Sequence, residues 1–198
     1  MGKSRRSGSS QGAANTVRII GGRWRRRKLQ FPPIEGLRPT PDRIRETVFN
    51  WLAPHIKGAT VLDAYCGSGA LGLESLSRDA RQCVFVDSSA MVKRHLQQNL
   101  TTLECGDATL VQGQFLNWLA TCQQSFNIVF LDPPYSSGLL QPSIDAIASL
   151  GCLSSNALVY FEHPVAENPT LPSDWLSLKD LKAGRNHYRL AQRVLSAD

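Results

Sequence analysis

The residues with the most distinctive chemistry are Asp132-Pro133-Pro134-Tyr135, which directly follow the largely apolar run Asn127-Ile128-Val129-Phe130-Leu131. Proline has no backbone donor and cannot extend a ladder, so a strand over 127–131 must stop there. The stop leaves a carboxylate, a rigid carbonyl and a flat ring at the strand's carboxyl end, the edge where open α/β sheets bind ligands. Two acceptors beside a stacking surface suit a planar base that carries an exocyclic NH2 group. The lone pair of such an amine is delocalised into its ring. With the Asp132 carboxylate and the Pro133 carbonyl accepting its two N–H bonds, the lone pair turns outward toward an electrophile. Pro134 stiffens the turn, and Tyr135 stacks on the base and fixes its plane.

A second constellation lies upstream. Thr60-Val61-Leu62-Asp63 reads as a short buried strand, followed by Ala64-Tyr65-Cys66 and then Gly67-Ser68-Gly69-Ala70-Leu71-Gly72, a G-x-G-x-x-G pattern. Glycines there allow a tight turn and close approach of a ligand to a helix start. The pattern first suggests a dinucleotide and hence an NAD-dependent dehydrogenase. Asp63, four residues before Gly67, would repel a pyrophosphate. It suits S-adenosylmethionine, which has no phosphate and carries an amino group and a sulfonium charge. Asp87 ends the next predicted strand, 18 residues after Gly69, where an acid accepts hydrogen bonds from both hydroxyls of a ribose.

Taken in order, Asp63 to Gly69 and Asp132 to Tyr135 resemble an amino-methyltransferase. Two amino-terminal stretches narrow the resemblance, Arg18-Ile19-Ile20-Gly21-Gly22-Arg23-Trp24-Arg25 and Leu37-Arg38-Pro39-Thr40-Pro41-Asp42-Arg43-Ile44-Arg45-Glu46-Thr47-Val48-Phe49-Asn50-Trp51-Leu52. With them the chain, from about Val17 to Arg193, is similar to the RsmD family of bacterial 16S ribosomal RNA guanine-N2 methyltransferases. The resemblance implies S-adenosyl-L-methionine as cofactor, held by Asp63, Gly67, Gly69 and Asp87. It also implies a monomer acting on 16S rRNA in the small subunit or its assembly intermediate. Where the family often has a second acid two positions after the ribose acid, this chain has Ser89. The position facing the adenine amine falls on Gln114, followed by Phe115. Arg38, Thr40, Arg43 and Arg45 form the family's amino-terminal signature; the resemblance implies RNA contact for Arg38, Thr40 and Arg43, with Arg38 and Thr40 within reach of the active-site mouth and Arg43 and Arg45 as phosphate or carboxylate partners. Rival readings are an adenine-N6 methyltransferase, since adenine offers the same NH2 geometry, and a non-catalytic rRNA-binding assembly factor.

Charge is distributed to match an RNA substrate. Residues 1–50 hold 12 Lys/Arg against 3 Asp/Glu, and the remainder 10 against 13. The basic excess is therefore amino-terminal and its expected partner is a polyanion. Arg18, Arg23, Trp24, Arg25, Arg26, Arg27 and Lys28 combine positive charge with an aromatic, as single-strand binders do. Five widely spaced cysteines with no C-x-x-C pair argue against a disulfide framework and a zinc site. His55, His95, His163 and His187 show no metal or triad spacing, and Glu162-His163-Pro164 ends a strand near the expected pocket, as an ordinary polar strand end or, less favoured, in a supporting role. Neither a signal peptide nor a bilayer-spanning run is legible, so a cytoplasmic protein without a membrane partner is expected.

The elements that must position these groups follow from periodicity. Residues 1–16 are expected to form a disordered basic tail, and 17–198 one domain. Val17–Ile20 and Trp24–Leu29 are expected to pair around a Gly21-Gly22 turn, a basic hairpin extension over 17–30. Thr40 is the expected N-cap of a helix over 40–53, with Ile44, Val48, Trp51 and Leu52 on one face. Strands are expected near 60–63, 83–87, 108–112, 127–131 and 157–161, and helices near 70–78, 90–103, 114–121 and 139–149. Such alternation gives a parallel sheet covered on both faces. Extended stretches near 175–182 and 187–194 close it as an antiparallel pair. The expected fold class is α/β, a Rossmann-like class I methyltransferase with a mostly parallel seven-stranded sheet.

Overall fold

A computed structural model describes residues 15–135 and 137–194. The expected tail falls largely on residues 1–14, outside the described residues, and Thr16 already pairs with Gln30. The core strands are β3 (Thr60–Asp63), β4 (Gln82–Asp87), β5 (Ala108–Gln112), β6 (Phe126–Leu131), β7 (Leu153–Pro164), β8 (Trp175–Ala183) and β9 (Asn186–Arg193). They form one seven-stranded sheet in the order β5-β4-β3-β6-β7-β9-β8. The strands β3 to β7 run parallel, and β9 and β8 add on antiparallel. The order reverses between β3 and β6, which opens a crevice at their carboxyl ends.

Helices cover both faces, and the period-2 alternation of the strands decides which residue meets which layer. Val61, Ile128, Phe130, Leu158 and Tyr160 pack with α1 (Asp42–Leu52), α2 (Ala70–Ser77) and α3 (Ala90–Thr102). Leu62, Val84, Val129, Leu131, Val159 and Phe161 pack with α4 (Phe115–Leu119) and α5 (Leu140–Ser149). Among the described residues no helix is long and apolar enough to cross a membrane.

The amino-terminal segment departs from expectation. Its strands β1 (Thr16–Arg18) and β2 (Lys28–Gln30) have three residues each, and nine residues join them. Gly21-Gly22 is no hairpin turn. It lies against the carboxyl end of α2, where the Ser77 carbonyl accepts from the Arg23 amide at 2.7 Å and Ser77 Oγ donates to the Gly21 carbonyl at 2.6 Å. Gly22 has φ +73°, and a Cβ there would collide with the Ser77 backbone. Trp24 is buried in the core cluster, with its amide donating to Ser77 Oγ at 3.0 Å and the Arg23 guanidinium over its ring. A large apolar ring outweighs the basic residues around it and pulls the loop onto the domain.

Thr40 is not the N-cap of α1. That place falls to Pro41, which makes no side-chain cap, while Thr40 Oγ1 donates to Glu162 across the fold. Further along, β7 starts four residues earlier than expected, and α4 is shorter than predicted, with Gln114 as its N-cap.

Candidate active site

The carboxyl edge of the sheet carries a row of acids. Asp63 ends β3, Asp87 ends β4, Asp132 follows β6 and Glu162 lies near the end of β7. A cleft of about 510 Å³ runs along this edge, lined by Asp63, Gly67, Asp87, Gln114, Asp132 and Tyr135 among others. The sequence motifs thus converge on one cavity because each occupies the same end of a neighbouring parallel strand.

The glycine turn is built from backbone outward. Gly69 takes φ +73° and starts α2, and its amide donates to the Cys66 carbonyl at 2.6 Å. Asp63 is buried and accepts from the Gly72 amide at 2.9 Å. Burial, with the charge of Asp87 adding to it, pushes the Asp63 carboxyl up to about 7. Asp87 Oδ2 accepts from the Gly67 amide at 3.0 Å and Oδ1 from the Ser89 amide at 2.8 Å. Ser89 caps α3 through Oγ and the Val92 amide. Its hydroxyl has a structural use, which leaves Asp87 as the acid at that strand end. Gln114 is exposed in the cleft with its side chain free of capping duty, and Phe115 is buried with its ring edge against Tyr65.

On the opposite wall, Asp132 is partly buried and makes no ion pair or side-chain hydrogen bond among the described residues. Loss of solvent around its carboxyl, then the charges of Glu162 and Asp63, push its proton affinity well above the usual carboxylate range. Pro133 is buried, Pro134 exposed, and Tyr135 half-exposed, its hydroxyl accepting from Asn186 Nδ2 at the β8–β9 turn. The ring is therefore held from the far end of the sheet.

Three residues that matter here were not singled out by sequence reasoning, or were misread. Glu162 is a buried acid, not an ordinary strand end; its Oε1 accepts from Thr40 Oγ1 at 2.8 Å and from the Tyr160 hydroxyl at 2.9 Å. Glu74 of α2 is fully buried; its two oxygens accept from the Ile20 and Gly21 amides at 2.8 and 2.7 Å and pair with Arg78 and Arg45. Arg45, expected as a phosphate or carboxylate partner, is fully buried and bound to the carboxylates of Asp42 and Glu74. An acid and an arginine in a helix face give no sequence signal of burial; only the pairing of Glu74 with a loop some fifty residues away shows it.

The basic residues divide in two. Arg25, Arg26, Arg27, Lys28, Arg38 and Arg43 are exposed and make no ion pair among the described residues. Arg18 is bound to Asp42 at 2.7 Å and Arg23 lies 3.7 Å from Asp107. Trp24 and Thr40, both expected to touch RNA, are buried and engaged elsewhere.

The cleft fits S-adenosylmethionine on its own chemistry. Asp63, Asp87 and Asp132 have no cationic partner among the described residues, so the site offers negative charge to a ligand with a sulfonium and an ammonium. A pyrophosphate would hold these acids against its own charge, which argues against the dehydrogenase reading. The solved structure of the Escherichia coli protein yhhF, 43% identical, superposes with a TM-score of 0.86 over 92% of this chain and 100% of that one. A Thermus thermophilus 16S rRNA N2 G1207 methyltransferase, solved with AdoMet and guanosine, is 20% identical with a TM-score of 0.67, covering 91% of this chain and 50% of that one. It shares the fold.

Sheet order, glycine turn and acid row together define a Rossmann-like, S-adenosylmethionine-dependent methyltransferase. Residues 17–192 match the family described as Conserved hypothetical protein 95. The ribosomal RNA small subunit methyltransferase D of Escherichia coli strain K12 is 46% identical over 194 residues, spanning 98% of this chain and 96% of that protein. That of Haemophilus influenzae is 41% identical over 184 residues, 91% and 95% of the two chains. The chain belongs to the RsmD family.

Proposed function

We propose that this enzyme methylates the exocyclic N2 amine of one guanine in 16S rRNA of the small ribosomal subunit. The observation that carries the reading is the Asp132 carboxylate, without a hydrogen-bond or ion-pair partner among the described residues, at the edge of the cleft beside the Pro133 carbonyl and the Tyr135 ring. When bound, S-adenosylmethionine supplies an electrophilic methyl group, and Asp63, Gly67, Gly69, Asp87, Gln114 and Phe115 are the residues proposed to hold it.

The chain's own contribution is largely positioning. Asp132 and the Pro133 carbonyl accept the two N–H bonds of the amine and aim its lone pair at the cleft. Orientation of this kind is worth roughly 7–11 kcal/mol for well-aligned partners. Tyr135 holds the base plane, its hydroxyl tethered by Asn186. The raised proton affinity of Asp132 equips it to take the proton that leaves the amine as it acquires the methyl. The donors of the incoming amine and the positive charge of the cofactor both favour its ionised form before transfer.

The base must leave any stacked helix, at roughly a few kcal/mol. Phosphate contacts from Arg25, Arg26, Arg27, Lys28, Arg38 and Arg43 offset that cost. The enzyme is proposed to act as a monomer, with residues 17–198 working as one domain.

The test is labelled-methyl transfer to small subunits lacking the modification, to their naked RNA and to duplex DNA, followed by nucleoside analysis. N2-methylguanosine is expected from the ribosomal substrates alone. N6-methyladenine from any of them would overturn the guanine assignment in favour of the adenine enzyme. No transfer despite cofactor binding would favour the assembly factor.

A further inference from the structure

Glu162 has no part in the reaction as derived above, yet it is placed as if it had one. In the β6–β7 ladder Leu131 pairs with Phe161, so Asp132, just past the end of β6, stands beside Glu162, which is still within β7. Both belong to the face of the sheet that carries Phe130 and Tyr160. Adjacent strands lie about 4.8 Å apart, a spacing that lets two strand-end carboxylates converge on one edge of a purine.

The carboxylate is held with care. Glu162 is 6% exposed, and both of its hydrogen bonds go to Oε1, from Thr40 Oγ1 and the Tyr160 hydroxyl. Oε2 has no hydrogen-bond partner, and the residue no cation, among the described residues. Burial raises the proton affinity of the group, against the two hydroxyl donors that favour its ionised form. With Oε1 held and Oε2 not one of the fully buried unpaired atoms, the carboxylate keeps an accessible acceptor for a donor that enters the site. Glu162 lines a small cavity of about 130 Å³ together with Pro133, Pro134 and Tyr135. Pro133, Pro134 and Tyr135 line both this cavity and the cofactor cleft, and Thr40, which holds Glu162, lines the cleft as well, so Glu162 stands where the two meet.

Resting on the guanine-N2 reading, we propose that Glu162 is a specificity-determining residue that accepts the N1–H of the target guanine. Guanine carries N1–H directly beside its N2 amine, a continuous edge of donors. Adenine carries a bare N1 lone pair beside its amine, which a carboxylate repels. Asp132 and Pro133 accept either amine; Glu162 tells the two bases apart. Thr40 and Tyr160 act through it as positioning residues, which gives Thr40 a role at the base and not on the RNA backbone. A site built to accept a particular hydrogen rejects the analogue lacking it far more strongly than a hydrophobic pocket rejects a missing methylene.

The test is a double-mutant cycle in single-turnover transfer. The substrates are rRNA fragments carrying guanine or 2-aminopurine at the methylated position. 2-Aminopurine keeps the C2 amine and lacks the N1 hydrogen; it also lacks O6, whose loss is common to every variant and cancels in the cycle. Wild type is expected to prefer guanine by about 100-fold or more. Glu162→Gln, whose amide can donate to a bare N1, is expected to shrink that ratio by about tenfold or more. Tyr160→Phe, which removes one tether on Oε1, should shrink it about threefold. S-adenosylhomocysteine affinity should stay within about twofold in both. A glutamine variant slowed equally on both bases, with the ratio unchanged, would overturn the role of Glu162 and leave the guanine reading intact. If that variant does not fold, an unchanged ratio in Tyr160→Phe overturns it instead. Failure of wild type to methylate guanine removes the underlying reading and this inference together.

Discussion

The molecule buries acids in two places and treats them in opposite ways. Midway along α2, Glu74 is surrounded by two backbone amides and two arginines, so its charge is spent on holding the amino-terminal segment against the domain. At the carboxyl edge of the sheet, Asp63, Asp132 and Glu162 have no cation within ion-pair reach among the described residues, and burial raises the proton affinity of all three. A buried carboxylate that has its counter-charge is architecture. One that lacks it costs stability, a cost that grows as pH rises from the ordinary aspartate value through the raised one, about 7 for Asp63. Such a cost is typical of a site that awaits a ligand. On the proposed reading, the cofactor's cationic groups and the donor edge of a purine supply what the protein withholds.

Four experiments break or sharpen this contrast. Glu74→Ala should have the largest effect, about 3–5 kcal/mol of stability, because it removes the one buried carboxylate beside Arg45 and frees two backbone amides. Denaturant unfolding reads it, and a loss under 1 kcal/mol would mean the network is expendable. Asp132→Ala should do the reverse: about a hundred- to thousand-fold loss in transfer rate, with stability unchanged or slightly raised by removal of a raised-affinity acid. The third concerns pH. Asp63 is largely protonated below about 7 in the free protein, and a cationic ligand favours its ionised form. Affinity for S-adenosylmethionine should therefore rise with pH, by up to about tenfold per unit, and level off above 7. Binding at pH 6 should release a proton, measured by calorimetry in buffers of different ionisation enthalpy; no release would place Asp63 away from the ligand's charge. Smallest is the replacement of Arg25, Arg26 and Arg27 together by Gln, which should lower the salt dependence of RNA binding by at most about three phosphate contacts. An unchanged slope would make these arginines mere solvated charge.

This contrast also explains what could be read from the chain. The strands over 60–63, 83–87 and 127–131 were legible because buried parallel strands read as apolar runs that end in a breaker, and the site motifs sit on those ends. Asp63, Asp87 and Asp132 were therefore found by position. Trp24 was misjudged because its basic neighbours suggest an exposed strip, whereas burial of its ring against α2 decides where the loop lies. Thr40 was misjudged because a threonine before a proline and a helix has the composition of a cap. Its real partner is Glu162, 122 residues away, and no local pattern encodes that distance. Glu74 carried no local signal for the same reason, and the carboxylates that Arg45 meets could not be named from its neighbours. The sequence shows which groups are present; only the fold shows which charges find a partner.

The most direct test of the central claim is single-turnover methylation of unmodified small subunits by wild type, Asp132→Ala and the Arg25/Arg26/Arg27 variant, with the product identified as a nucleoside. The predicted result is N2-methylguanosine from wild type, a collapsed maximal rate with retained S-adenosylhomocysteine binding for Asp132→Ala, and a raised half-saturation with a near-normal maximal rate for the arginine variant. A near-normal maximal rate in Asp132→Ala, or a product other than N2-methylguanosine, would contradict it.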